Sequence, residues 1–339
     1  MTYRIEERTL HFKQPAGTSR GVYLTRKIWL VHLSDGQRQG VGECAPLPDL
    51  SCDAMEDKEY GNLLNKICED FCMRGAIDDD ALRDYPSMRF GLETALLNLQ
   101  HGDHLFDTAF SRGEVGIPIN GLVWMGNFEE MLKRMESKLE LGFRCVKLKI
   151  GAIDFDQELE LIKRIRSRFS FHEVELRLDA NGAFPYEDAL YKLELLSQYA
   201  IHSIEQPIRQ GQWAYMADLC RESPLPIALD EELIGVNDPA MKRHMLNIIK
   251  PRYIILKPSL HGGMAGCREW IDTARELGIG SWITSALESN IGLNAIAQFA
   301  ASVYGDHITM PQGLGTGLLF TDNIPMPLEI RGDQLWRCR

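Results

Sequence analysis

Seven times between residues 120 and 285 a short apolar run gives way to one polar or charged residue. These residues are Asn120, Lys149, Asp179, Glu205, Asp230, Lys257 and Ser285, spaced 25 to 30 positions apart. That interval is the length of one strand plus one returning helix. The runs themselves read as strands, among them Cys145-Val-Lys-Leu-Lys-Ile, Val174-Glu-Leu-Arg-Leu-Asp, Pro226-Ile-Ala-Leu-Asp and Tyr253-Ile-Ile-Leu-Lys. Segments 155–169 and 186–199 between them are amphipathic helices, so the repeat implies a parallel sheet. An open doubly wound sheet uses only the strand ends beside its switch point. A closed barrel gathers every C-terminal strand end around one mouth, where such folds keep their chemistry. Seven polar strand ends in series favour the barrel.

Before the repeat the texture differs. Val22, Leu24, Ile28, Leu30 and His32 alternate with polar neighbours, and a Pro-rich loop follows Gly42-Glu-Cys-Ala-Pro-Leu-Pro. Ile67, Phe71, Phe90, Leu92, Ala95, Leu96 and Leu99 then carry helical spacing. Strands followed by helices predict an α+β domain over 1–115, a barrel over 116–320 beginning at Gly116-Ile-Pro-Ile-Asn-Gly, and a tail, 321–339, that returns to the first domain. The charge balance of 37 basic against 48 acidic residues, net −11, argues against nucleic acid or an anionic membrane as partner. No apolar run reaches the ~18 residues of a membrane span. The first residues carry no secretory pattern, and eight scattered cysteines lack the spacing of a zinc site. Reduced thiols and a cytoplasmic location are expected.

Asp179, Glu205 and Asp230 end three consecutive strands and so converge on one arc of the mouth. Three carboxylates forced together repel, and a divalent cation relieves that repulsion. An oxygen-only donor set suits Mg²⁺ better than zinc. Lys147 and Lys149 lie two apart on a strand and share its inward face, and Lys257 ends a strand on the opposite side. Desolvation beside a like charge would lower a lysine pKa toward neutrality and let it act as a base.

The set Lys147-Leu-Lys149, Leu178-Asp179-Ala-Asn181-Gly, Ile204-Glu205-Gln-Pro207, Leu229-Asp230-Glu231 and Leu256-Lys257-Pro-Ser resembles the enolase superfamily, in its muconate-lactonizing-enzyme branch. The resemblance covers essentially the whole chain. It implies an α/β fold, a modified TIM barrel (β/α)₇β with an N-terminal α+β capping domain. It implies Asp179, Glu205 and Asp230 as ligands of Mg²⁺, with Mn²⁺ as a substitute, and Lys149 and Lys257 as opposed acid/base lysines. Within the branch, Phe12-Lys-Gln-Pro-Ala-Gly-Thr-Ser-Arg-Gly21, Ser285-Ala-Leu-Glu-Ser-Asn290 and Gly313-Leu-Gly-Thr-Gly-Leu-Leu-Phe320 resemble the dehydratases of menaquinone synthesis. These act on 2-succinyl-6-hydroxy-2,4-cyclohexadiene-1-carboxylate, a small carboxylate. Dipeptide epimerases of the branch carry an Asp-x-Asp pair at the last strand, where this chain reads Gly313-Leu-Gly315-Thr-Gly317. Muconate cycloisomerase and N-acylamino acid racemase activities use the same metal and lysines and stay open, as does a non-catalytic enolase-like binding protein.

Further residues are expected at or behind the substrate. Strand alternation aims Arg177 and Asn181 inward with Asp179, Arg177 toward a carboxylate or the substrate and Asn181 toward Lys149 or Asp179. Glu231 either orients a lysine or opens a helix. Ser19 and Arg20 would sit in a capping loop over the mouth and meet the succinyl carboxylate, or form a plain hairpin turn. Ser285, Glu288 and Gly315 are placed near the substrate. Gly313–Gly317 offers backbone N–H groups to an anion, or else makes a tight turn with φ > 0. Trp124 is core or pocket wall, and Gly262-Gly263 is a turn or a helix start facing substrate. Oligomeric state has no signature in the sequence.

Overall fold

Alternating apolar residues give the N-terminal sheet two buried faces. The computed structural model describes residues 1–18, 21–124 and 126–338. Strands β1 (Thr2–Thr18), β2 (Gly21–Ser34) and β3 (Gln39–Cys44) form an antiparallel sheet in that order. Trp29, Val31 and Leu33 pack against α1 (Asp57–Arg74) and α2 (Pro86–His101) through Tyr60, Leu64, Leu92 and Leu99. Ile28 and Leu30, on the opposite face, meet Ile291 and Phe320 from the C-terminal half. The sheet is thus sandwiched between its own helices and the rest of the molecule. Strand β3 lies so close to α2 that a Cβ on Gly42 would stand 1.9 Å from the Gly91 carbonyl oxygen. Gly42→Ala should therefore lower stability by at least the ~1–3 kcal/mol typical of overpacking, and an unchanged thermal midpoint would contradict this packing.

After the short strand β4 (Ile117–Pro118) the chain alternates strand and helix: β5 (Gly121–Val123), α3 (Phe128–Glu140), β6 (Cys145–Lys149), α4 (Phe155–Arg168), β7 (Glu175–Asp179), α5 (Tyr186–Ser197), β8 (Ser203–Glu205), α6 (Trp213–Glu222), β9 (Ile227–Leu229), α7 (Pro239–Ile249), β10 (Tyr253–Leu256), α8 (Gly263–Glu276), β11 (Gly280–Ile283) and α9 (Asn290–Tyr304). Helix starts are locally encoded: Asn127 and Glu130 form a capping box on α3, and Asp154, Asp238 and Ser289 cap α4, α7 and α9. Strands β5 to β11 pair in chain order, every pair parallel. Single parallel bridges at Thr284↔Gly313 and Ile119↔Gln312 supply an eighth, minimal strand and close the ring. Seven strand–helix units and a final bare strand make the closed barrel expected from the polar strand ends, in the (β/α)₇β form that the resemblance implies.

Two expectations need adjustment here. Asn120 does not end a strand but precedes β5, its N–H bonded to the Gln312 carbonyl at the seam of the ring. The apolar run 117–123 is split because β4 pairs away from the barrel, with β13 (Gln334–Arg337) of the hairpin it forms with β12 (Leu328–Arg331). The tail touches β1 through the Thr321 N–H to the His11 carbonyl and the His11–Asp322 pair, and then ends in that hairpin on β4. No helix among the described residues is long and apolar enough to cross a membrane.

Candidate active site

Register puts the expected chemistry side by side. Lys149 pairs with Asp179 across β6 and β7, and Asp179 pairs with Glu205 across β7 and β8. Asp230 and Lys257 follow their strands by one residue. On an eight-strand ring, β6 and β10 are four strands apart, so Lys149 and Lys257 face each other across the mouth. Both line one cavity of about 140 Å³, with Lys147, Asp179, Asn181, Glu231, Ser285 and Gly315. Its apolar wall comes from Leu122, Trp124 and Leu287 of the barrel and from Tyr23, Leu47 and Leu50 of the N-terminal sheet and loop.

Asp179, Glu205 and Asp230 are 0–1% exposed, a burial that ionised carboxylates tolerate only with partners. Lys147 Nζ donates to Glu205 Oε2 at 2.6 Å and lies 3.0 Å from Asp179 Oδ2. Lys257 Nζ donates to Asp230 Oδ1 at 2.7 Å. Lys149 Nζ donates to Asn181 Oδ1 at 2.9 Å and stands 3.5 Å from Asp179 Oδ2. Asn181 in turn donates from Nδ2 to Glu231 Oε1 at 2.9 Å, so Glu231 bears on Lys149 through the asparagine. Asn181 holds a left-handed φ of 45°, a conformation asparagine accepts more readily than most residues.

Burial opposes ionisation of Asp179, but the ammonium groups of Lys147 and Lys149 outweigh it and hold its carboxyl below the usual range. Glu205 is pushed up to about 8, by burial and by the charges of Asp179 and Asp230, despite Lys147. Burial and the same two acids push Glu231 to about 6. Burial would depress Lys257, yet Asp230 and Glu231 raise it above the ordinary lysine value. The lowering expected from desolvation and a neighbouring ammonium is therefore not found at Lys257. An ion pair with a buried carboxylate exceeds both effects.

Among the described residues no three acidic, histidine or cysteine side chains already stand as a cation cage, and the carboxylates take ammonium groups instead. The donor set nevertheless fits a hard divalent cation. It is oxygen-only, it comes from three successive strands, and Glu205 Oε1 is buried without a hydrogen-bond partner.

Arg177 does not reach the cavity. Alternation turns it inward, but it lies two residues below Asp179, where Glu175 and the Pro311 carbonyl take its guanidinium and Trp282 stacks at 4.5 Å. Glu288 is fully buried behind the wall rather than in it. Gly313, Gly315 and Gly317 do not have the positive φ of a tight turn. Gly313 and Gly317 instead serve close approach, a Cβ on Gly313 falling 1.9 Å from Thr284 Oγ1. Gly262 and Gly263 do have positive φ, and the α8 start faces Glu93 of α2, not the cavity. Trp124 is pocket wall. Ser19 and Arg20 lie outside the described residues. Sequence reading missed His261, whose Nδ1 accepts the Lys257 N–H at 2.8 Å; its position four residues past that lysine was the available signal.

Residues 130–332 match the family model "Enolase C-terminal domain-like", and residues 19–99 match "MenC, N-terminal domain". The o-succinylbenzoate synthase of Desulfotalea psychrophila is 46% identical over 99% of this chain and 98% of its own length. That of Bacillus subtilis is 27% identical over 96% and 87%. The crystal structure of MenC from D. psychrophila superimposes with a TM-score of 0.86 and 41% identity, covering 98% of this chain and 99% of that one. The L-Ala-D/L-Glu epimerase of B. subtilis shares the fold at a TM-score of 0.83 and 20% identity, over 99% and 96%. With both halves of the chain matched and a relative of this identity over its full length, the chain belongs to the o-succinylbenzoate synthase family of the enolase superfamily.

Proposed function

We propose that this chain is a lyase that dehydrates 2-succinyl-6-hydroxy-2,4-cyclohexadiene-1-carboxylate to 2-succinylbenzoate, with Lys149 as the base. The observation that carries the reading is the opposed placement of Lys149 and Lys257 on one cavity beside three buried acids. In it Lys149 removes the proton from the carbon bearing the carboxylate. The electron pair moves into the ring, the bond to the neighbouring hydroxyl breaks, and that hydroxyl leaves with the proton as water. Aromatisation drives the step, so the protein mainly positions groups and compensates charge. Asn181, backed by Glu231, fixes where Lys149 Nζ stands. Lys257, held cationic by Asp230 and Glu231, acts through its charge from the opposite wall. The leucines and Trp124 exclude water from the ring, while Gly315 and Ser285 border the side away from the acids.

Enzymes of this superfamily use a divalent metal, generally Mg²⁺. Asp179, Glu205 and Asp230 would hold Mg²⁺ or Mn²⁺, which supplies positive charge to the substrate carboxylate as negative charge builds there. Residues 1–115 would act as the cap and 116–320 as the catalytic barrel. Eight free cysteines suit a reducing compartment, and the proposal places the enzyme in the cytoplasm. Ultraviolet-monitored turnover of the cyclohexadiene substrate, beside N-acylamino acids and cis,cis-muconate, tests the reading. Dehydration is expected to have the highest kcat/KM of the three, and a higher value for either of the others would overturn it.

A further inference from the structure

Behind the cavity wall runs a buried polar chain that the proposed reaction does not use. Glu288 is 0% exposed, and its two carboxylate oxygens serve two different turns. Oε1 accepts the hydroxyl of Ser259, two residues past Lys257. Oε2 accepts the hydroxyl of Ser285 and, at 2.7 Å, the N–H of Ala286, both in the turn that lines the cavity. The next residue, Leu287, adopts φ 66°, a left-handed conformation strained for a residue with a side chain.

The N-terminal sheet holds that strained turn in place. Arg26, 3% exposed on β2, donates from Nε to the Leu287 carbonyl at 3.2 Å, while its other nitrogens take the carbonyls of Ala45 and Pro46. Glu43, fully buried on β3, accepts the N–H of Ser289 at 2.8 Å and of Gly292 at 2.9 Å, together with the Ser289 hydroxyl. Three buried charged side chains thus meet within one short segment, 287–292, each met by several donors or acceptors. Such groups are costly to bury unless fully satisfied, and satisfied networks fix a single arrangement.

We propose that Glu288 is a positioning residue that fixes the Lys257 turn against the substrate-facing turn 284–287, and that Arg26 and Glu43 lock the latter to the capping sheet. The proposal rests on the role given to Lys257 in the dehydration. It divides the effects: loosening the Lys257 side alters the rate of the chemical step, and loosening the cavity wall alters substrate binding.

The test compares Ser259→Ala, Glu288→Ala, Glu288→Gln and Arg26→Met with the metal-loaded wild type on the cyclohexadiene substrate, each corrected for folded fraction. Misplacing a charge by a fraction of an ångström is expected to lower kcat about ten-fold in Ser259→Ala with KM within about two-fold. Arg26→Met is expected to raise KM more than it lowers kcat. Glu288→Gln keeps an oxygen for Ser285 and Ala286 and an amide for Ser259, so it should recover most of what Glu288→Ala loses. If Glu288→Ala does not fold, Ser259→Ala carries the same test. Variants that only melt earlier, with wild-type kcat and KM when folded, would overturn the proposal while leaving the dehydration intact. No turnover by the wild type would instead overturn the reaction itself, full turnover by Lys257→Met would overturn only the role given to Lys257, and either result would take this proposal with it.

Discussion

Lys149→Ala is expected to lower kcat on the dehydration substrate by about 10² to 10⁴, the usual worth of a positioned general base. The direction follows from the site. Lys149 is the lysine whose nitrogen is held by a neutral amide, Asn181 Oδ1 at 2.9 Å, whereas Lys147 and Lys257 are hydrogen-bonded directly to buried carboxylates. Truncation removes the base and enlarges the cavity that Lys149 already lines, rather than opening a new one in the hydrophobic core. Stability should therefore change little, and KM should change less than kcat. Near-normal turnover by a folded Lys149→Ala would remove this residue from the mechanism.

Removal of divalent metal should have a larger effect still. Turnover is expected to fall to background on treatment with EDTA and to return with Mg²⁺ or Mn²⁺. At about a hundred times its Kd, Mg²⁺ binding only to the folded state adds about 2.7 kcal/mol of stability, readable as a shift in thermal midpoint. Glu205→Gln should abolish that shift and the activity together while the apo protein stays folded, since barrel stability resides in the packed interior and the helix layer. Glu205 is the sensitive choice because its Oε1 is buried without a partner and its carboxyl is driven up to about 8 by burial and by the charges of Asp179 and Asp230. An equal Mg²⁺ shift in Glu205→Gln, or full activity in a verified metal-free sample, would contradict the proposed metal site.

Much of this was legible in the sequence because a polar residue ending an apolar strand has few structural excuses. Lys149, Asp179, Glu205, Asp230 and Lys257 are such residues, and parallel pairing in chain order then brings them to one mouth. Alternation left Arg177 between a carboxylate and the substrate, and the structure gives it the carboxylate of Glu175. A period of two gives the face of a strand but not the depth along it, and two residues make about 6–7 Å, enough to move a guanidinium from the cavity to the Trp282 layer. Glycines at 313–317 misled for a related reason, since one sequence serves a positive φ or a close approach equally well and the partner, Thr284, lies far off in the chain. Glu288, Arg26 and Glu43 act through contacts between turns or between the two halves of the molecule. No local pattern announces such contacts. The wall residues Leu47 and Leu50 likewise belong to a loop whose destination only the tertiary fold decides.

The central claim, one base and one charge, is tested most directly by comparing Lys149→Arg with Lys257→Arg on the dehydration substrate at equal folding and metal content. Arginine keeps the positive charge but cannot serve as a base near neutral pH. Lys257→Arg is predicted to retain clearly more turnover than Lys149→Arg, because Asp230 and Glu231 already keep Lys257 cationic. Lys257→Met, measured alongside, separates loss of charge from misfit of the longer guanidinium. Equal losses in the two arginine variants, with Lys257→Met no worse than Lys257→Arg, would contradict the assignment of Lys149 as sole base.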